Sequence, residues 1–211
     1  MATVGETHKI YTDQTGKFPI TSSQGNKYIL IMYVYDSNAI LASPCKSRSI
    51  SHIMGAYNKP VGHLTNIGYI PRFHCLDNEA SDILNKYNKR KYIEYYLVLS
   101  NIYCVNAAER SMSTCQDHFI VGISSTDTCF PIHLQCRLIP QATMTLNMLR
   151  PCRRNPTMSA HTSIEGQFDF NKTQLAPPGI KLIVHKKPQQ HKTWVIPGVP
   201  GWYIIPAIEH Y

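Results

Sequence analysis

The sequence is short of acid, has no long apolar run, and contains no paired cysteine motif. Only 16% of its 211 residues are charged, with 13 Asp and Glu against 21 Lys and Arg, a formal net charge of +8. A basic surplus of this kind favours a polyanionic partner, either nucleic acid or an acidic membrane surface. The longest apolar stretch, Tyr28 to Tyr35, falls far short of the ~20 residues that cross a bilayer. No charged start followed by an apolar block opens the chain, so no membrane span and no signal peptide are expected. The seven cysteines, Cys45, Cys75, Cys104, Cys115, Cys129, Cys136 and Cys152, are odd in number and scattered, and no Cys-x-x-Cys occurs. That argues against both a disulfide framework and a zinc knuckle, leaving free thiols in a reducing compartment as the expectation. His74 and Cys75 are neighbours, but successive side chains on a strand point to opposite faces.

What is present is a mixture of strand and helix patterns. The first ten residues are polar and shapeless. A turn at Thr21 to Asn26 precedes Lys27 to Tyr35, which is rich in β-branched and aromatic residues and reads as a buried strand. Asp36-Ser37-Asn38 turns the chain into a second strand, Ala39 to Pro44, to make a hairpin. From Ser49 to Leu64, apolar residues recur at helical spacing, and Pro60 is expected to kink or split that helix. A strand at Tyr69 to Leu76, a short helix at Glu79 to Asn88 and a strand at Lys91 to Leu99 follow. Two long helices come next, one carrying Ala108, Met112, Cys115, Phe119 and Ile123, the other Leu134, Leu138, Ala142, Leu146 and Leu149. The alternation predicts an α/β fold, a mixed sheet with helices on both faces. Residues 10–150 are expected to form this core and 151–174 a connector. Residues 175–211 are expected to form a small C-terminal β appendage with strands at Ile180 to Val184, Trp194 to Ile196 and Trp202 to Ile205.

Three acids stand at suggestive places: Asp13 ahead of the first hairpin, Asp77 at the end of a core strand, and Glu109 in the first turn of a long helix. Taken singly, each is what turns and first helical turns ordinarily contain. Together, acids at a strand end and a helix start can converge on one sheet edge. Converging carboxylates repel unless divalent cations neutralise them, and hard cations prefer oxygen ligands.

The surrounding residues carry a resemblance. Tyr11-Thr-Asp-Gln-Thr-Gly-Lys-Phe-Pro19, Gly25-Asn-Lys-Tyr28 and Tyr35-Asp-Ser-Asn-Ala-Ile40 resemble the start of the retroviral-type integrase core of copia-like LTR retrotransposons. Arg72-Phe-His-Cys-Leu-Asp-Asn-Glu-Ala-Ser81, Asn106-Ala-Ala-Glu-Arg110, Thr145-Leu-Asn-Met-Leu-Arg150 and Leu175-Ala-Pro-Pro-Gly179 resemble its later blocks, in order, from about Ile10 to Tyr211. The acids lie 64 and 32 positions apart. The resemblance implies a ribonuclease-H-like fold, with Asp13, Asp77 and Glu109 holding two Mg²⁺ or Mn²⁺ ions. It implies DNA integration by polynucleotidyl transfer, in which a cleaved 3′-hydroxyl attacks a phosphodiester of target DNA, and it implies a homo-oligomer. Asn106, Arg110, Ser113 and Gln116, around and beyond Glu109 on its helix, become the candidates for DNA contact, and the site of action would be nuclear or cytoplasmic.

Three departures from the family pattern are visible. The loop Leu99-Ser-Asn-Ile-Tyr-Cys-Val105 lacks the prolines, histidine and basic residues of related elements. Ser113 and Gln116 stand where the family usually has basic residues, and neutral side chains release no counterions from DNA. The chain begins at Met1 a few residues before Asp13, so a piece of a longer polyprotein is expected. The alternative to a working integrase core is a catalytically dead DNA-binding or self-associating relic. Elsewhere, His8, His52, His63 and His118 have no metal-cage spacing and are expected to face solvent or make single hydrogen bonds. Trp194 and Trp202 are expected to pack the appendage rather than stack on bases. Arg150 with Arg153 and Arg154, and Lys186 with Lys187, are short basic runs of the kind usually found on solvated faces.

Overall fold

The computed structural model describes residues 7–77, 89–90, 93–98, 103–187, 194 and 197–206, with the backbone alone at 76–77, 96–98 and 103–108. Five strands form one mixed sheet: β1 (Lys9–Gln14), β2 (Tyr28–Val34), β3 (Ala39–Cys45), β4 (Phe73–Asp77) and β5 (Glu94–Val98), in the order β3-β2-β1-β4-β5. β1, β2 and β3 are an antiparallel meander, and β4 and β5 run parallel to β1. The hairpin read from the sequence is β2–β3, and Asn38 turns it with a positive φ of 59°, which an Asn tolerates because its short polar side chain bonds locally.

Alternation along the strands divides the core in two. Ile10, Leu30, Met32 and Val34 face helix α1 (Ile50–Asn66), whose Tyr57, Val61 and Leu64 close that layer. Tyr11, Ile29, Ile31, Tyr33 and Cys75 face the other way, toward helix α2 (Tyr103–Ser124) and helix α3 (Ile139–Leu149). The sheet therefore has helices on both faces, as expected. His74 is buried on the α1 side, bonded to Thr12 Oγ1 at 2.8 Å and Tyr57 Oη at 3.1 Å, while Cys75 belongs to the α2 side.

Several expectations are corrected. Pro60 does not split α1, which runs unbroken over 17 residues. The proline denies the Ala56 carbonyl its donor, but Tyr57 and Leu64 on either side are fully buried against the sheet, and that packing holds the helix through it. The single helix expected across Leu134 to Leu149 is a 3-10 helix (Ile132–Arg137) followed by α3. Pro140 cannot donate to Cys136, so it stands in the first turn of a new helix, where no donor is required; Leu149 is exposed. β4 starts at Phe73 rather than Tyr69, because Pro71 has no N–H for a ladder and the chain joins the sheet where Arg72 and Phe73 donate to the His8 carbonyl. β1 begins at Lys9, inside the stretch read as shapeless. α2 begins at Tyr103, which puts Glu109 in its second turn rather than its first. The helix expected at Glu79 to Asn88 lies outside the described residues.

Beyond Arg150, helix α4 (Ala160–Glu165) packs Ala160 and Ile164 into the α1-side core. Strands β6 (Lys181–His185) and β7 (Gly198–Trp202) pair antiparallel. β7 occupies the stretch expected to be a joint between two strands; its Pro200 is tolerated because a two-stranded ribbon has edges on both sides. Trp202 and Ile204 pack on the α2-side core, and Trp202 meets Phe130 edge-on at 6.2 Å. Trp194, expected to pack, is 98% exposed, since no described element reaches it.

Candidate active site

Two of the three predicted acids lie on the adjacent parallel strands β1 and β4. β1 and β4 pair with a constant offset: Lys9 with Phe73, Ile10 with His74, Tyr11 with Cys75. The ladder pairs residues as far as Tyr11 and Cys75, and Asp13 and Asp77 lie two residues beyond it, toward the carboxyl-terminal ends of these strands. Asp13 shares the parity of Tyr11, the face covered by α2. Asp13 is half-buried, and one of its carboxylate oxygens accepts a hydrogen bond from the Gln14 backbone N–H at 2.6 Å.

Glu109 is exposed on α2. The helix packs Met112, Cys115 and Phe119 onto this sheet face, and Glu109 stands on the flank it shares with Gln116, two turns later. Gln116 in turn lines a cavity of about 480 Å³ together with Thr15 and Gly16, the residues just past Asp13. The flank carrying Glu109 is thus the one turned toward the end of β1. Burial pushes the Cys115 thiol beneath this flank up to about 11, which keeps it an inert core group rather than a nucleophile.

The candidates for nucleic-acid contact fall on different sides of α2. Ser113 is exposed and donates to Asp117 at 3.4 Å; Gln116 lines the cavity beyond Asp13. Arg110 is exposed on the other flank, where it lines a separate cavity with Tyr33, Arg150 and Arg153. Asn106 is placed on the helix by its backbone alone. Among the described residues no group of three His, Cys, Asp or Glu gathers into a metal cage. His8 bonds through its ring to the Ile70 carbonyl, His52 to Ser47 and Ser49, His63 to Glu165, and His118 to Thr145. No described helix is long and apolar enough to cross a membrane.

One carboxylate has a role that the sequence did not disclose. Asp36, read only as part of a turn, is buried and accepts from His8 N at 2.7 Å, Tyr69 Oη at 3.1 Å and Arg154 Nη2 at 3.2 Å. Burial first, and then the Asp36 charge, raise the Tyr69 phenol far above its ordinary range. Asp36 clamps the amino-terminal end of β1, the opposite end from Asp13, so it is a fastening of the sheet.

A five-stranded mixed sheet in this order, flanked by helices, matches the ribonuclease-H-like fold of integrase catalytic cores. The chain is similar to the catalytic core domain of BIV integrase, with TM-score 0.54 and 13% identity over 75% of this chain and 93% of that one. It is also similar to the HTLV-2 integrase catalytic core domain in a trimeric form complexed with magnesium, with TM-score 0.54 and 17% identity over 74% and 95%. A chain of the simian T-cell lymphotropic virus intasome in complex with the PP2A regulatory subunit B56 gamma matches with TM-score 0.57 and 15% identity over 94% of this chain and 67% of that one. At such identities the likeness establishes the fold. No protein-family model and no curated protein matches the chain.

Proposed function

We propose that this chain is the catalytic core of an integrase from a copia-like LTR retrotransposon, carrying out metal-dependent polynucleotidyl transfer on DNA in the nucleus or cytoplasm. The observation that carries the reading is that Asp13 and Asp77 lie two residues past the Tyr11–Cys75 pair on adjacent parallel strands, while the helix that bears Glu109 packs on Tyr11 and Cys75. The magnesium named with the HTLV-2 core and the DNA-bound assembly implied by an intasome support it as analogies.

The donor set suits magnesium or manganese, because Asp13, Asp77 and Glu109 offer hard carboxylate oxygens and no thiolate or imidazole. When bound, two such ions supply an activated 3′-hydroxyl and a stabilised leaving oxygen. The chain's own part is positioning. The adjacent parallel strands β1 and β4 carry two of the acids, and the Gln14 N–H restrains the rotation of the Asp13 carboxylate. The buried Met112–Phe119 face of α2 fixes the height of Glu109 over the sheet. The neutral Ser113 and Gln116 give this flank hydrogen-bonding contact with phosphates without counterion release, which favours weak holding of DNA near the acids. A catalytically silent DNA-binding or self-associating core is the second reading, and those two neutral residues are what favours it.

The test is nicking and strand transfer on a DNA duplex with manganese. Wild-type chain is expected to nick, and Glu109→Gln to reduce the rate by about two orders of magnitude or more, as expected when a metal-holding carboxylate is removed. Equal rates in the two proteins would leave the silent core as the surviving reading.

A further inference from the structure

On the far flank of α2, three arginines converge on one tyrosine. Arg110, Ser111 and Thr114 of α2 form one wall of a cavity of about 190 Å³, and Arg150, Arg153 and Tyr33 form the rest. The guanidinium of Arg150 lies 5.9 Å from the Tyr33 ring centroid, and that of Arg153 lies 4.4 Å from the Tyr35 centroid. Arg153 Nε donates to the Tyr33 hydroxyl at 2.9 Å. Arg150 donates to the Asn38 carbonyl at 2.9 Å and to its side-chain oxygen at 2.6 Å.

None of the residues lining this cavity is acidic. Arg150 and Arg153 are partnered by carbonyl, amide and phenol groups and by ring faces, and neither pairs with a described carboxylate. The contrast with the next residue in the chain is sharp: Arg154 turns away to the buried Asp36. Burial pulls Arg150 below its ordinary value, against the Tyr33 contribution, whereas Arg153 is raised by its interactions with the Tyr33, Tyr35 and Tyr11 phenols despite burial. Guanidinium groups stacked on aromatic rings keep their N–H edges for planar, forked bonding, the geometry that phosphate oxygens take. The cavity has room for a phosphate group and a few waters.

Its position selects the kind of phosphate. Tyr33 pairs with Tyr11, two residues before Asp13 on β1, and its hydroxyl donates to Asn38 Oδ1 at 3.0 Å, toward the hairpin end of the sheet. Arg110 adjoins Glu109 in sequence. We propose that Arg110, Arg150 and Arg153 form a phosphodiester-binding site that grips the backbone of the same polynucleotide whose reacting phosphate sits at the Asp13–Asp77 edge. The site rests on the DNA-handling reading above. It places the positive charge on the flank opposite Ser113 and Gln116, so DNA is held chiefly from the Tyr33 side of α2.

The experiment is the salt dependence of binding to a fluorescein-labelled DNA duplex, read by anisotropy between about 50 and about 200 mM salt, with the full chain. Each neutralised phosphate contact contributes about 0.9 to the slope of log affinity against log salt. Arg110→Gln and Arg153→Gln are each expected to flatten the slope by about one and to weaken binding several-fold; the double variant should flatten it by about two. Thr114→Glu introduces a negative charge at the rim while leaving all three arginines and their contacts to Tyr33 and Asn38 in place. It is expected to weaken binding comparably, and it keeps the test sound if an arginine variant melts early. Unchanged slopes in the Arg110, Arg153 and Thr114 variants overturn the proposal, and do so alone if wild-type chain binds and nicks DNA. Protection of the wild-type chain by inorganic phosphate, with duplex slopes unchanged, overturns it in favour of a small-anion pocket. A wild-type chain that does not bind duplex even at low salt overturns both this site and the DNA reading. Flattened slopes without any manganese-dependent nicking sustain the site and leave only the catalytic reading to fall.

Discussion

Two aspartates show how differently one residue type can be used within a few strand residues. Asp36 is buried and bonded to three groups, His8, Tyr69 and Arg154, that lie 28, 33 and 118 positions away. Nothing in its local sequence separates it from an ordinary turn aspartate. Asp13 is half-buried at the other end of β1, and the motif around it was legible because family resemblance supplied the context that a lone acid lacks. Histidines offer a test at the same scale. Burial lowers the pKa of His118, against a hydrogen bond with the Ala142 backbone, and lowers that of His161, against the nearby Glu165 charge. A folded-state value below the unfolded 6.5 means that the unfolded chain takes up protons first as pH falls. The stability these neutral rings allow is therefore complete above about pH 6.5 and is lost as pH drops through their folded values. Thermal melts are expected to show a lower midpoint at pH 5 than at pH 7.5. The difference should narrow when His118 and His161 are both replaced by Gln; an unchanged difference would mean that the carboxylates alone set the acid sensitivity.

At the scale of elements, the same residue type again gives two outcomes. Pro60 is carried through α1 by buried neighbours on both sides, whereas Pro140 ends one helical run and starts another, because the 3-10 turn before it leaves a first-turn position that needs no donor. Periodicity read both segments as continuous apolar stripes and could not rank the missing hydrogen bond against the packing. The edge of the sheet depends on one side chain. Asn147 of α3 accepts from Ile40 N and donates to the Ile40 carbonyl, both at 2.8 Å, and so stands in for a further strand beside β3. Asn147→Leu leaves both β3 groups without partners in a buried site. It is expected to cost about 1–3 kcal/mol per unsatisfied group and to promote edge-to-edge association. Urea denaturation and light scattering would check the two effects, and a variant with unchanged midpoint would show that water replaces the amide.

For the whole molecule, the link between core and C-terminal segment runs through Gly179. Its N–H donates to the Tyr203 carbonyl, its own carbonyl accepts from Asp127 N, and its φ is +70°. A Cβ there would lie 2.5 Å from Thr126 Cγ2. Gly179→Ala is expected to loosen the segment from α2, lowering the melting temperature by several degrees for about 1–2 kcal/mol of strain and clash. Emission from Trp202, now packed on Phe130, should shift to the red; an unmoved spectrum would mean that the segment docks without this residue. The sequence by itself determined the alternation of strands and helices, hence a mixed sheet with two covered faces, because burial imposes periods of two and 3.6 on any chain that folds this way. It also marked Asp13, Asp77 and Glu109, through the blocks around them. Only the tertiary structure decided that the strands carrying the first two acids are neighbours, that Asp36 is a clamp, and that Arg110, Arg150 and Arg153 line one cavity with Tyr33. These depend on which distant segments lie side by side, and the packing that brings residues 40 and 120 positions apart together leaves no period in the sequence.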